Sequence, residues 1–253
     1  MGQVRPLFAR SDIHVHTRLS PCGQDEMMPG AIIRAAEEQG IEYLGISDHI
    51  HPFTDHSILD SVREECRAAP DSIRVFVGCE ADIMAVGETV LDTALAAKAD
   101  FVMVAANHFQ DPSVSRPAAG GMRAVARHFL DMFTYAASLE LADVIAHPFF
   151  VMPDTYDPLA PAAITEGELR PAVELAAKNH IAVEISRRAL TPEQKPFLIN
   201  FYRVCKQAGL KFVIGSDAHR LADVGRTYLV EQLIVELGLK DEDIWLPRGG
   251  ALS

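Results

Sequence analysis

Histidines and carboxylates follow apolar segments of this chain at spacings that suit metal binding. His14 and His16 are two positions apart, so on a β-strand their side chains leave the same face. Asp217 and His219 repeat this spacing much later in the chain. One such pair is a weak signal, because pairs of this kind also occur in loops. Four further candidates follow other apolar segments: His49, Glu80, His108 and His147.

The number and type of these side chains indicate more than one metal ion. Eight candidates are twice the number that one tetrahedral zinc requires, so they imply two or three ions. Mixed nitrogen and carboxylate ligands suit Zn, Fe or Mn rather than Mg or Ca. Paired metals about 3.5 to 4 Å apart can hold a bridging hydroxide and stabilise both oxygens of a displacement at phosphorus. The constellation therefore predicts hydrolysis of a phosphate ester by that hydroxide.

The elements that position these residues alternate along the chain. Seven short apolar runs, rich in β-branched or aromatic residues, predict β-strands. They lie around residues 11–15, 42–47, 73–79, 101–106, 143–146, 181–185 and 211–215. Alanine-rich segments with helical spacing lie between them. This alternation predicts a parallel sheet covered by helices.

The spacing of the strand ends supports a repeated βα unit. The residues after the seven runs are His16, Asp48, Glu80, His108, His147, Glu184 and Asp217, about 30 or more positions apart. No proline- or serine-rich linker interrupts the series, which indicates one domain over residues 1–253. A closed barrel would place the last strand beside the first and so bring the pair His14 and His16 next to the pair Asp217 and His219. An open doubly wound sheet would not obviously do so. The long loops at 109–120 and 149–165 are candidates for substrate contact.

Composition and charge exclude several classes of protein. The chain is 49% hydrophobic and 23% charged, which is typical of a globular protein. A net charge of −12 argues against broad binding to duplex nucleic acid, because that affinity comes mainly from Lys and Arg. Neither a long apolar span nor a signal peptide is indicated, so we expect a cytoplasmic protein with no membrane partner.

The motifs resemble those of the polymerase and histidinol phosphatase (PHP) superfamily of metal-dependent phosphoesterases. They occur in that family's order as His14-Val15-His16-Thr17, Ser47-Asp48-His49, Glu80, His108, His147-Pro148 and Ser216-Asp217-Ala218-His219. The resemblance implies an α/β fold, a distorted (β/α)7 TIM-like barrel with a trinuclear metal centre at the C-terminal ends of its strands. It also implies a metal-dependent phosphoric ester hydrolase.

The resemblance further implies how the ligands divide among the metals. The first metal would take His14, His16, Glu80 and Asp217; the second Glu80 as a bridge, His108 and His147; the third His49 and His219. Six residues after His16, where family members often carry histidine or aspartate, this chain has Cys22. A thiolate is a competent and softer ligand for Zn or Fe, so Cys22 is a candidate for the third site. Without Cys22, the third metal would be weak or absent.

Other polar residues at the strand ends have candidate roles. Glu80 and Asp217 are predicted to be catalytic through the metals. Asp48 could serve catalysis by orienting His49, or it could cap a turn or helix. Four arginines follow strand ends and could clamp a phosphate: Arg18, Arg187, Arg188 and Arg220. Glu184 is expected to form a structural salt bridge with an arginine.

The preferred function is hydrolysis of a small phosphomonoester, with histidinol phosphate as one possible substrate. Sugar, nucleotide and polyol phosphates fit the aromatic residues of the long loops equally well. An exonuclease that acts on nucleic-acid ends is the main alternative, and the acidic charge weighs against it. An amidohydrolase is disfavoured because His108 stands where a bridging lysine is common. A non-catalytic metal-binding module is a further alternative. The sequence leaves the oligomeric state open.

Overall fold

The apolar β-branched runs form the parallel strands of one sheet. The computed structural model describes residues 5–117, 120–152, 154–187 and 191–248. The parallel strands are β1 (Ser11–Val15), β2 (Tyr43–Ile50), β3 (Arg74–Ala85), β5 (Val102–Ala105), β6 (Val144–Ala146), β7 (Ala182–Ser186) and β8 (Phe212–Gly215). A two-residue strand, β4 (Glu88–Thr89), pairs antiparallel with β3. The parallel strands follow one another in chain order from β1 to β8.

The two edges of this sheet meet and nearly close a barrel. Val15, at the end of β1, forms a parallel bridge with Ala218 after β8. The His16 amide donates to the Ala218 carbonyl at 3.0 Å. Asp12 reinforces this join, because its carboxylate accepts the amides of Ser216 and Gly225, both at 2.8 Å. The predicted (β/α)7 TIM-like barrel is therefore confirmed over the open doubly wound sheet.

Helices cover the outside of the barrel. They are α1 (Pro29–Glu38), α2 (Ser57–Cys66), α3 (Thr93–Lys98), α4 (Gly121–Ala136), α5 (Glu166–Lys178), α6 (Lys195–Gln207) and α7 (Glu231–Leu237). Their apolar faces pack with the outward side chains of the strands in one large buried cluster. Within the described ranges, none of the helices has the length and apolar character needed to cross a bilayer.

A smaller apolar cluster lies on the opposite face of the strands and fills the barrel. Its members are Ile13, Phe76, Phe101, Met103, Val144, Ala146, Ala182 and Val213. Trp245 packs against this cluster, and its amide donates to the Phe212 carbonyl at 2.8 Å. Since Phe212 begins β8, Trp245 covers the end of the barrel at which the strands begin. The polar residues after the strands therefore collect at the other end.

Two strands are longer than the sequence predicts. β2 continues to Ile50 and β3 to Ala85, so His49 and Glu80 lie within strands rather than directly after them. The two strands pair in register, with His49 opposite Glu80. The extension of β3 follows from its antiparallel pairing with β4, which the sequence reasoning did not predict. A continuous backbone ladder thus holds Glu80 in place.

Gly78 on β3 provides a test of how tightly the barrel interior is packed. A Cβ at this position would lie about 2.5 Å from the Phe101 ring, which is only 1% exposed. Overpacking of this kind costs about 1–3 kcal/mol, so we expect Gly78→Ala to lower the free energy of unfolding by that amount. The matched control is Gly167→Ala in α5, where a Cβ meets nothing within 4 Å. Denaturant titrations in the presence of EDTA check this, and equal midpoints for both variants would contradict it.

Candidate active site

A buried carboxylate lies at the centre of the residues that the motifs bring together. Glu80 is 0% exposed, with Oε1 2.9 Å from His147 Nε2 and Oε2 2.9 Å from His49 Nδ1. Despite these short distances, both Glu80 oxygens and His49 Nδ1 lack a hydrogen-bond partner. A buried carboxylate that histidine nitrogens surround without hydrogen-bonding to it is a donor set that fits a bound cation.

Four overlapping groups of side chains around Glu80 could each hold a metal ion. They are His14, His16 and Asp217; His14, Glu80 and His147; His49, Glu80 and His108; and His16, His49 and His219. Within each group the ligand atoms lie within 4.8 Å of one another. Because the groups share members, they form one continuous cluster of candidate ligands.

Two of the central groups have the charge state that metal binding requires, whereas the raised pKa of His14 and of His108 keeps a proton on those rings in the metal-free protein. Burial alone would raise the pKa of Glu80, but the imidazoles of His49, His14 and His108 outweigh it and hold this pKa well below its usual value. Burial and the neighbouring His49 lower the pKa of His16 well below its usual value. Glu80 is therefore anionic and His16 neutral near pH 7, which are the forms that bind metals.

Each central histidine is oriented by a contact to its Nδ1 atom. The partners are Glu184 for His14 at 3.0 Å, Ser20 for His16 at 3.3 Å, Asp82 for His108 at 2.8 Å, Asn107 for His147 at 3.0 Å and the Asp217 carbonyl for His219 at 3.0 Å. With Nδ1 engaged, the Nε2 atoms of these five rings are left for ligation. His49 is the exception, because it directs Nδ1 toward Glu80.

Two residues of the centre have unusual backbone conformations. His147 has φ +25° and Asp217 has φ +51°, in the left-handed region that favours glycine. Non-glycine residues held there cost about 1–3 kcal/mol each and cluster at functional sites. The turns they make stop β6 and β8 from continuing and direct both side chains into the centre. Placing these two side chains therefore lowers the free energy of unfolding.

A small cavity opens above the centre at the C-terminal ends of the strands. Its volume is about 110 Å³ and it is lined by Cys22, His49, Asn107, His108, Gln110, His147, Phe150, Met152, Asp217 and His219. Gln110, Phe150 and Met152 come from the two loops predicted to contact substrate. Two other aromatic residues of these loops pack against the helices and loops around them, since Phe109 contacts Phe129 and Phe149 contacts Phe133.

Comparisons with known proteins agree with this geometry. The family model described as PHP domain matches residues 12–188, most of the chain. This chain belongs to the PHP family. The sequence-based prediction of a metal-dependent phosphoric ester hydrolase is thereby confirmed at the level of enzyme class.

Two solved structures share the fold at low sequence identity. A histidinol phosphate phosphatase from Lactococcus lactis, complexed with zinc, L-histidinol and phosphate, has a TM-score of 0.62 at 16% identity; the match covers 93% of this chain and 98% of that one. A Listeria monocytogenes protein provisionally named a histidinol phosphatase has a TM-score of 0.62 at 13% identity, over 86% of this chain and 98% of that one. No curated protein sequence matches this chain.

The structure corrects the role expected for Glu184 in this PHP domain. Among the residues that the structure describes, Glu184 forms no salt bridge to an arginine. Its Oε1 contacts His14 Nδ1, and its Oε2 accepts the His147 amide at 2.7 Å. Gly215 makes room for this contact, because a Cβ there would lie 2.2 Å from Glu184 Oε1. Glu184 thus connects strand β7 to two candidate ligands.

Asp48 contacts the turn after β1 rather than the ring of His49. Its Oδ1 accepts the Thr17 amide at 2.6 Å and the Ser20 hydroxyl at 2.7 Å, while its Oδ2 accepts the Thr17 hydroxyl at 2.7 Å. Ser20 Oγ in turn lies 3.3 Å from His16 Nδ1 and accepts the His49 amide at 3.0 Å. Asp48 is therefore linked to His16 and His49 indirectly, through Ser20.

The arginines predicted to bind phosphate are held by carboxylates in the described structure. Arg18 pairs with Glu65 at 3.3 Å, and Arg187 and Arg220 pair with Asp223 at 2.9 and 3.2 Å. None of these three is among the described residues that line the cavity. Arg188 lies outside the described residues. Cys22 lines the cavity but belongs to none of the metal-binding groups found among the described residues.

Sequence reasoning missed two orienting residues, Asp82 and Asn107. Asp82 is two positions after Glu80 on β3, so the strand period places both on one face. Asn107 directly precedes His108, and its amide nitrogen donates to the His147 and Phe150 carbonyls at 3.1 and 2.8 Å. The strand period could have identified Asp82, whereas only the fold brings Asn107 to His147.

Removing the Glu184 carboxylate tests the orientation of His14. Outer contacts of this kind typically change metal affinity by about 10- to 100-fold, so we expect Glu184→Ala to bind Zn that much more weakly. Competition with a chromophoric chelator measures the affinity. The control is Glu174→Ala, an exposed position in α5. Equal affinity in Glu184→Ala and the wild type would contradict the orienting role.

The metal-free protein should lose stability as the pH rises. Burial alone would lower the pKa of His108, but Glu80 and the bond to Asp82 outweigh it and raise the pKa from 6.5 to about 9. A raised pKa contributes stability that is complete below the unfolded pKa and lost as pH rises through the folded one.

We therefore expect the denaturation midpoint of EDTA-treated protein to fall between about pH 6.5 and about pH 9. The matched variant His108→Gln should show a flatter profile over that range. Metal-loaded protein should not share this fall, because metal displaces the proton. A midpoint that rises with pH in the metal-free protein would show that His108 is not protonated in the folded state.

Proposed function

We propose that this PHP protein hydrolyses a small phosphomonoester at a centre of two or three divalent metal ions. The observation that carries this proposal is the buried carboxylate of Glu80, whose oxygens face histidine nitrogens but have no hydrogen-bond partner. A cation between these atoms would satisfy the carboxylate and the imidazoles together. Zn, Fe and Mn suit this mixture of ligands.

The side chains of the centre would have distinct roles as metal ligands and as residues that orient those ligands. His14, His16, Glu80 and Asp217 would hold one metal; Glu80, His108 and His147 a second; His49 and His219 a third. Bound metals would supply an activated water and neutralise charge on the phosphoryl oxygens. Glu184, Asp82, Asn107 and Ser20 would hold the imidazole rings in place. Glu80 would act as the shared ligand, since its two oxygens face different histidines.

We propose Cys22 as a further ligand of the third metal. Cys22 lines the cavity together with His49 and His219, the two candidate ligands of that metal. A thiolate at this edge would favour a softer ion such as Zn over Mn. The phosphate would then be held mainly by metals, because Arg18, Arg187 and Arg220 are engaged by carboxylates.

The size and lining of the cavity support the proposed substrate class. A volume of about 110 Å³ is small, and Phe150 and Met152 give it an apolar wall beside the amides of Asn107 and Gln110. The Lactococcus lactis protein with this fold is complexed with L-histidinol and phosphate, which supports a small alcohol as the leaving group. We propose histidinol phosphate as the first candidate substrate.

Metal analysis combined with a substrate panel tests the proposal. The panel contains histidinol phosphate, p-nitrophenyl phosphate, nucleoside monophosphates and a short oligonucleotide. We expect two or three equivalents of metal and turnover of a monoester. Glu80→Gln should lose metal and lower kcat/KM by at least about a hundredfold, because the shared ligand is gone. The exposed control Glu174→Gln should retain both.

Several outcomes would overturn this function. Full activity of Glu80→Gln at normal metal content would defeat the shared-ligand scheme. Faster hydrolysis of the oligonucleotide than of any monoester would favour a nuclease. Bound metal without turnover of any ester would favour a binding module, and no metal after reconstitution would remove the basis of the proposal.

A further inference from the structure

A further group of possible metal ligands lies beside the catalytic centre and shares no residue with it. The group contains His51, Asp82 and Asp111, whose ligand atoms lie within 4.8 Å of one another. One imidazole and two carboxylates form a donor set that suits a divalent cation such as Mn or Zn. None of the three residues belongs to the four groups around Glu80. The group is therefore a candidate site in its own right.

The three side chains come from three separate segments at the C-terminal ends of the strands. His51 directly follows β2, Asp82 lies within β3, and Asp111 lies in the loop after β5. The Asp111 amide donates to the His108 carbonyl at 2.9 Å, which fixes the start of that loop. A cation bound by all three side chains would join the three segments to one another.

Asp82 is the buried member of the group. It is 0% exposed, its Oδ1 lies 2.8 Å from His108 Nδ1, and its Oδ2 contacts His51 Nδ1. Because each carboxylate oxygen has two lone pairs, Oδ2 can bind a cation while Oδ1 keeps its contact with His108. Among the described residues, the ion pairs of Asp82 are with these two histidines and not with Lys or Arg. Its negative charge is thus compensated by imidazoles, which bind metals as well as protons.

The other two members have ligand atoms that an ion from solvent can reach. The Ser113 amide and hydroxyl both donate to Asp111 Oδ1, at 2.8 and 2.6 Å, and these bonds lower the pKa of Asp111. Asp111 is therefore ionised near neutral pH, and its Oδ2 accepts no hydrogen bond among the described contacts. The side chain of His51 is 27% exposed, and Asp111 is half-buried. The group is thus open to solvent on one side.

The group lies directly behind the wall of the catalytic cavity. Each member contacts or adjoins a residue that lines the cavity: His49 for His51, with ring centroids 5.1 Å apart, His108 for Asp82, and Gln110 for Asp111. These contacts place the group at the rim of the cavity, next to the catalytic centre but outside its ligand set.

We propose that His51, Asp82 and Asp111 form an auxiliary site for a divalent cation at the rim of the catalytic cavity. The cation would replace the proton between His51 Nδ1 and Asp82 Oδ2, and that proton would pass to solvent. Water would fill the remaining coordination positions on the exposed side. The site goes beyond the proposed phosphomonoesterase function and does not depend on it.

The cation would hold the loop after β5 in place. This loop carries Gln110, which lines the cavity, and the cation would tie Asp111 of the same loop to β3 and to the end of β2. An ion that binds the folded chain and not the unfolded chain stabilises the fold. The same ion would be linked to the catalytic centre through Asp82, which also orients His108.

Equilibrium dialysis against Mn²⁺ tests the site. The protein as purified is dialysed over a range of Mn²⁺ concentrations, and elemental analysis counts all metals bound per chain. We expect the wild type to bind one equivalent more than Asp111→Asn, or to bind that equivalent at least about tenfold more tightly. Asparagine can still accept the Ser113 bonds, so this variant should fold. His51→Gln should show the same loss.

The control is Asp55→Asn, which removes one negative charge from an exposed position four residues after His51. It should bind as much metal as the wild type. Mn²⁺ should also raise the thermal midpoint of the wild type and of Asp55→Asn by more than that of Asp111→Asn.

Equal metal content and affinity in Asp111→Asn and the wild type would overturn the auxiliary site. An equal loss in Asp55→Asn would also overturn it, because it would show general attraction of cations to an acidic surface. An anomalous diffraction peak for Mn between the three side chains would support the site, and peaks confined to the centre around Glu80 would overturn it. Absence of monoester turnover together with the extra equivalent of metal would overturn the proposed phosphomonoesterase function alone.

Discussion

The buried carboxylate of Glu80 is the constraint on which the rest of the site depends. A charge with no exposed surface and no hydrogen-bond partner is tolerated only if other charges compensate it. The surrounding imidazoles supply part of this compensation and hold the pKa of Glu80 low. Their nitrogens stand near the carboxylate without bonding it, which is the arrangement expected around a cation.

The orientation of those imidazoles ties the site to the barrel as a whole. Glu184 reaches His14 from β7, Asn107 reaches His147 from the loop after β5, and Ser20 reaches His16 from the turn after β1. Each ring is therefore fixed by an element other than its own, or by a separate turn. Closure of β1 against β8 completes the set, because it brings Asp217 within 3.3 Å of His16.

Around the centre, two residues have strained backbone conformations and the arginines are paired with carboxylates. His147 and Asp217 hold unfavourable backbone conformations, and the arginines nearby are engaged by Glu65 and Asp223. With the net charge of −12, the metals that we propose for this centre would be the main source of positive charge for a phosphate. Such a centre suits a small ester better than a long polyanion, which an acidic surface repels.

The seven parallel strands, their order and the eight histidines and carboxylates of the centre could be predicted from the amino-acid sequence. These follow from local signals, since apolar runs fix the strands and a two-residue period fixes which side chains share a face. Only the folded chain shows that β1 meets β8, that Glu184 contacts His14, and that Asp48 binds Ser20 rather than the ring of His49. Those contacts join residues between 28 and 204 positions apart. No local pattern encodes them, because they depend on how the closed barrel brings distant strand ends together.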